Sequence, residues 1–129
     1  MESSTKQFRK RGAILTCLRS TDLHPSAEML HEMLQPQHPD ISLATVYRNL
    51  ALFKNQGIIQ SLGTVGGIER FDGNTELHAH FMCNSCGAII DTPIAAPEMI
   101  NSATPEGVQL AKTQLLYFGT CKECLETNN

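Results

Sequence analysis

Four of the five cysteines in this 129-residue chain fall in two Cys-x-x-Cys pairs, Cys83/Cys86 and Cys121/Cys124, with 34 residues between the pairs. Four thiolates held in two such turns can close a tetrahedral shell around Zn²⁺, leaving no open position for catalysis. The spacing exceeds that of a compact zinc ribbon, so the site is expected to tie the ends of two separated strands. Such a staple matters at this length, because a chain this short buries one core, or two small ones only with added help. Redox-active dithiols are the competing reading. Against it, Cys83-Asn84-Ser85-Cys86-Gly87 looks like a metal knuckle and lacks the strand-to-helix context of a thioredoxin-like motif. Cys17 stands alone.

Paired thiols kept for metal imply a reducing compartment. The start, Met1-Glu2-Ser3-Ser4-Thr5-Lys6, runs into a charged amphipathic segment without the apolar core of a signal peptide. No apolar run approaches the roughly 18 to 20 residues of a membrane span. A cytoplasmic protein is expected.

Upstream of the cysteines the periodicity is helical. Phe8 to Arg19 places Ile14, Leu15 and Leu18 at helical spacing. Ser26 is the expected N-cap of Ala27 to Leu34, with Met29, Leu30, Met33 and Leu34 as one apolar stripe. Ser42 is the next N-cap, opening Leu43 to Gln56 with Leu43, Val46, Leu50 and Phe53 on one face and Gly57 as the stop. The period then changes: Ile58 to Leu62 and Ile68 to Asp72 read as strands around a Gly63-Thr64-Val65-Gly66-Gly67 turn. Three helices followed by a β-hairpin make a winged helix. Gly73-Asn74-Thr75-Glu76 has linker composition, and beyond it Leu77 to Phe81, Ala88 to Ile90 and Val108 to Gly119 are strand-like, with at most a short helix near Pro97.

The helix Leu43 to Gln56 hides its apolar face and presents Thr45, Tyr47, Arg48 and Asn49, side chains that can read base edges or grip phosphates, with Lys54 as a phosphate contact. An ordinary polar helix face is the bland alternative; the wing favours DNA. The net charge of −3 hides an asymmetry: residues 1–60 hold seven basic against five acidic side chains, residues 61–129 three against eight. Positive charge is therefore concentrated in the half that would face phosphates.

A second constellation comprises His24, Asp72, His78, His80 and Asp91. His78 and His80 lie two apart on an expected strand, so both rings leave one face. That pair alone is also common on solvated strands; the carboxylates Asp72 and Asp91 strengthen it. Imidazoles and carboxylates without thiolate suit Fe²⁺ or Mn²⁺, although Zn²⁺ would bind as well. His31 and His38 read as surface histidines.

In order and spacing, His24-Pro25-Ser26-Ala27, Ser42 to Leu50, Arg70-Phe71-Asp72, His78-Ala79-His80, Cys83 to Gly87 and Tyr117-Phe118-Gly119-Thr120-Cys121 resemble the ferric uptake regulator family, from about residue 8 to Cys124. The resemblance is closest to its peroxide-responsive repressors, because Asp72 stands where iron-uptake regulators usually carry Glu, and Asp91 where those repressors place their last ligand. It implies an α+β chain: a winged-helix DNA-binding domain over residues 1–73, a hinge over 74–77, and a small α/β zinc-stapled dimerisation and metal-binding domain over 78–129. It further implies structural Zn²⁺ on Cys83, Cys86, Cys121 and Cys124, and regulatory Fe²⁺ or Mn²⁺ on His24, Asp72, His78, His80 and Asp91. A homodimer on a palindromic duplex operator is implied as well. Three departures stand out. Leu77 and Ala79 flank His78, so the additional metal site of iron-uptake regulators is expected to be absent. Thr113 stands near the place of another expected histidine. The N-terminus is shorter than usual, so the family's first helix is expected to be truncated.

The function implied is metal-dependent repression relieved when peroxide, acting at bound Fe²⁺, oxidises the imidazole of His24 or His78. The alternative is an Fe²⁺- or Mn²⁺-responsive uptake regulator acting by reversible occupancy. A metal-dependent hydrolase is disfavoured, since five protein ligands leave little room for substrate and no general base stands nearby. A structural zinc-binding interaction module is the remaining rival, separated by whether the chain binds duplex DNA. No enzyme activity is expected.

Overall fold

The computed structural model describes residues 2–94, 98 and 104–127. They form two compact units, Met1–Thr75 and Glu76–Asn129.

The first unit opens with α1 (Glu2–Arg19), followed by α2 (Ala27–Leu34) and α3 (Leu43–Asn55). Helix α1 is continuous over 18 residues and starts well before Phe8. No Pro interrupts its first turns. Ser26 and Ser42 cap the next two helices, accepting from Met29 N and Thr45 N at 3.2 Å each. Helix α3 stops at a Schellman turn: Gly57 takes φ +74°, Ile58 N donates to Phe53 O and Gly57 N to Lys54 O. Ile14, Leu18, Leu30, Leu34, Ile41, Val46, Leu50, Phe53, Ile59 and Phe71 form the core, each large side chain contributing about 1.5–3 kcal/mol by leaving water. On α2 the buried stripe is Ala27, Leu30 and Leu34, and Met33 is exposed instead.

Strands β1 (Gln60–Val65) and β2 (Ile68–Asp72) form the antiparallel wing. Val65 pairs with Ile68, so the loop is only Gly66-Gly67, at φ +61° and +84°. Two successive positive φ angles are those of a type I′ turn, whose twist matches the strands. The five-residue turn expected from the sequence is thus mostly strand. Gly63 sits instead in a β-bulge between Ser61 and Thr64, at φ +80°. Gly73 closes this unit against α1, since a Cβ there would stand 2.9 Å from Arg19 Cγ and 3.0 Å from its Cα.

The second unit is a three-stranded sheet in the order β4-β3-β5, with β3 (Ala79–Cys83), β4 (Ile89–Thr92) and β5 (Leu115–Gly119), followed by α4 (Lys122–Thr127). Strand β3 is central, antiparallel to β4 and parallel to β5. Strand β5 starts seven residues later than the sequence suggests, for its ladder partner β3 pairs only over Ala79–Cys83. The short helix expected near Pro97 lies outside the described residues. Among those described, no helix is long and apolar enough to cross a membrane.

Candidate metal centres and nucleic-acid interface

Parallel pairing places the ends of both strands on one side of the sheet. Cys83 ends β3 opposite Gly119, and Cys121 follows β5 by two residues. Gly87, at φ +77°, turns the first knuckle back so that Cys83 N donates to Ala88 O. Helix α4 then carries Cys124 back over the same point, its first turn closed by Leu125 N donating to Cys121 O. The result is a four-sulfur cluster, with Cys83 Sγ 3.8 Å from Cys124 Sγ and Cys86 Sγ 3.8 Å from Cys121 Sγ. All four sulfurs lie within 4.8 Å of one another. Thiolates bound about 2.3 Å from zinc at tetrahedral angles stand about 3.8 Å apart, so the cluster fits that ion.

The backbone supports the same reading. Cys86 N and Cys121 N point at Cys83 Sγ, at 3.5 and 3.3 Å. These two donors lower the Cys83 thiol to about 6. The Cys124 thiol is pushed up to about 12, first by its hydrogen bond with Cys121 and then by desolvation. Four crowded sulfurs cannot all ionise unaided; a dication would remove that penalty.

Two smaller donor sets carry no sulfur. In the first unit, His24 is buried with Nε2 3.4 Å from Asp72 Oδ2. Asp72 is fixed from behind, its Oδ1 accepting from Asn74 N at 2.9 Å. In the second unit, His78 Nε2 and His80 Nε2 each lie 3.2 Å from Asp91 Oδ1, and the two rings stand 4.3 Å apart. His80 and Asp91 are register partners across β3 and β4, while His78 lies one residue before β3. His78 Nδ1 is 2.6 Å from Glu76 O. A proton on Nδ1 donated to that carbonyl leaves Nε2 as the lone-pair face, the tautomer a metal ligand needs. Both sets have the nitrogen and oxygen donors suited to Fe²⁺ or Mn²⁺.

The expected DNA-reading residues divide into two kinds. Arg48 is exposed on α3, its Nη2 3.3 Å from Thr45 Oγ1, and the two line a cleft of about 560 Å³ with Lys10 and Arg11 of α1. Those α1 side chains were not among the candidates, although Arg9-Lys10-Arg11 is the densest basic run in the sequence. Asn49 corrects the sequence reading: it is buried, donating to Thr45 O at 2.9 Å and accepting from Arg11 Nε at 3.2 Å. It holds Arg11 in the cleft and is not presented at the surface. Lys54 Nζ donates to Glu69 Oε2 at 3.2 Å, so it ties α3 to the wing. Ser61 Oγ donates to the same oxygen at 2.7 Å, and these bonds keep the Glu69 carboxyl below its usual range, Ser61 first. Tyr47 is half exposed, its hydroxyl donating to the Glu28 carboxylate of α2.

Comparison with known proteins places these features in context. A family model described as the ferric uptake regulator family matches residues 2–118. A peroxide-responsive repressor of Staphylococcus epidermidis is 34% identical over 100% of this chain and 93% of its own length. Among solved structures, the Campylobacter jejuni peroxide stress regulator superposes with a TM-score of 0.80 at 25% identity, covering 95% of this chain and 94% of that one. The ferric uptake regulator of Pseudomonas aeruginosa, solved with manganese, gives 0.72 at 30% identity over 88% and 87%. Relatives of this kind are DNA-binding dimers. A winged helix, a four-cysteine cluster at the end of a small sheet and a match along nearly the whole length together make the chain a member of the ferric uptake regulator family.

Proposed function

We propose that the chain is a cytoplasmic homodimeric repressor that binds a palindromic duplex operator when loaded with metal and releases it when peroxide oxidises a ligand histidine. The observation that carries the reading is the pair of sulfur-free donor sets, His24 with Asp72 and His78 with His80 and Asp91, one in each unit. In this reading the five side chains hold one regulatory ion, and Cys83, Cys86, Cys121 and Cys124 hold structural zinc. Similarity to proteins named as peroxide-responsive regulators supports the peroxide signal. Asp72, in place of glutamate, supports it too.

The mechanism follows from what the chain's own residues can do. Residues 74–77 act as the hinge between the domains 1–73 and 78–129. Ligands supplied from both sides of that hinge favour one orientation of the winged helix, and a ligand shifts an equilibrium only through such differential contacts. In a two-fold dimer the orientation sets the separation of the two α3 helices, which must match successive major grooves. Thr45, Tyr47 and Arg48 then meet the base edges or phosphates. Fe²⁺, when bound, would activate peroxide beside the imidazoles for a net two-electron oxidation of a ring, in which one peroxide oxygen enters a ring C–H bond and the other leaves as water. His24 or His78 gains an oxygen, a ring so modified is a poorer donor, and the units separate from their binding-competent arrangement.

The test is metal-dependent DNA binding. The zinc-loaded protein is titrated with Mn²⁺ and its retention of operator duplex followed. Affinity is expected to rise at least tenfold, the lower part of the usual range of coupling energies, and His24→Ala and Asp91→Ala are each expected to abolish the rise. A rise that survives both substitutions would remove these residues from the regulatory site.

A further inference from the structure

The loop carrying His24 has an unusual backbone. Among the described residues His24 is the one non-glycine at positive φ, +52°, and it directly precedes Pro25. Left-handed backbone is disfavoured for residues with a Cβ, and a following proline restricts the position further. Such a conformation persists only where its surroundings over-determine it.

Strand β2 supplies that determination. The Arg70 guanidinium donates from Nε to His24 O and from Nη2 to Leu23 O, the latter at 2.9 Å. Phe71 N donates to Pro25 O at 3.0 Å. Three successive carbonyls of the loop are thus received by two successive residues of the strand. Alternation along β2 places Arg70 and Asp72 on one face, while Phe71 turns into the core. Arg70 therefore grips the backbone of the same residue whose ring faces Asp72 at 3.4 Å. The planar fork of arginine suits this, because it meets two neighbouring acceptors at fixed spacing; lysine is a single flexible point donor.

We infer that Arg70 is a positioning residue for the regulatory metal: by holding Leu23 and His24 in the strained turn, it presents the His24 imidazole to the site and raises its metal affinity. This rests on the reading of His24 as a ligand. Groups that orient a metal ligand without touching the ion typically change affinity about 10- to 100-fold, and Arg70 acts one step back in that way.

Calorimetric Mn²⁺ titration of the zinc-loaded full chain tests it, comparing the parent with Arg70→Met, Arg70→Lys and His24→Ala. Arg70→Met keeps the aliphatic bulk and removes both donors, so Mn²⁺ affinity is expected to fall about tenfold or more, with zinc content unchanged. Arg70→Lys is expected to fall between the two. In metal-free protein, the imidazole nitrogen resonances of His24 are expected to shift in Arg70→Met while those of His80 stay in place, a readout independent of metal loading. Parent affinity in Arg70→Met, with His24→Ala strongly weakened, overturns the inference and leaves the ligand reading standing. Parent affinity in His24→Ala overturns both. If Arg70→Met does not fold, Arg70→Lys decides, and parent affinity there counts against the inference.

Discussion

At Cys121 two demands fall on one residue: its N–H donates to Cys83 Sγ at 3.3 Å and its own sulfur stands 3.8 Å from Cys86 Sγ. Serine preserves the backbone donor but offers a hydroxyl that does not ionise at neutral pH. Since structural zinc in small domains contributes on the order of 10 kcal/mol of binding free energy to folding, Cys121→Ser is expected to lose zinc and leave the second unit unstable or the protein monomeric. Metal analysis with sedimentation checks this; a zinc-free variant that kept full dimer stability would contradict the zinc reading. The cysteines were legible in the sequence because their spacing alone specifies a shell. Asn49 and Lys54 were not, because helical spacing says which face a residue occupies and nothing of the partner a neighbouring element brings. Asn49 meets Arg11 of α1, and Lys54 meets Glu69 of the wing. Arg70 escaped for the same reason, since its acceptors are carbonyls 46 and 47 residues away in the chain.

Capped helices are the elements most easily read from sequence. Ser26, Ser42 and Gly57 mark α2 and α3 through local chemistry that needs no tertiary partner. Strand ends depend on pairing. The glycine-rich 63–67 segment reads as a long turn until the register shows a bulge at Gly63 and a two-residue turn at Gly66-Gly67. Likewise β5 extends only as far as β3 can pair with it. For α3 this division of labour gives a prediction. Arg48, exposed and flanked by Lys10 and Arg11, is expected to cost about 1–3 kcal/mol of operator affinity when changed to alanine if it reads a base. Lys54→Ala, which breaks the ion pair to Glu69, is expected to weaken specific and nonspecific duplexes alike and by less. Titrations on operator and scrambled duplexes separate the two effects, and unchanged binding in both variants would place the recognition surface elsewhere.

For the whole molecule, division of the chain into two units was written in its composition: basic charge and helical periodicity first, then paired cysteines, strand-like runs and a net acidic balance. In the proposed reading the regulatory ligands come from both sides of residues 74–77, and an event at one imidazole would then reach α3 without any change in the winged helix itself. On that reading peroxide sensing depends on the identity of the ion and on His24 or His78, with the four-thiolate cluster expected to stay closed. The direct measurement is brief peroxide treatment of anaerobically prepared protein loaded with Fe²⁺ or with Mn²⁺, followed by duplex binding and peptide masses. The Fe²⁺ form is expected to lose DNA and gain a single oxygen on the peptide holding His24 or His78, with zinc retained, while the Mn²⁺ form keeps its DNA. Ejection of zinc with oxidation of Cys83 or Cys86, leaving both histidines unmodified, would contradict the account, as would an Fe²⁺ form that keeps its DNA.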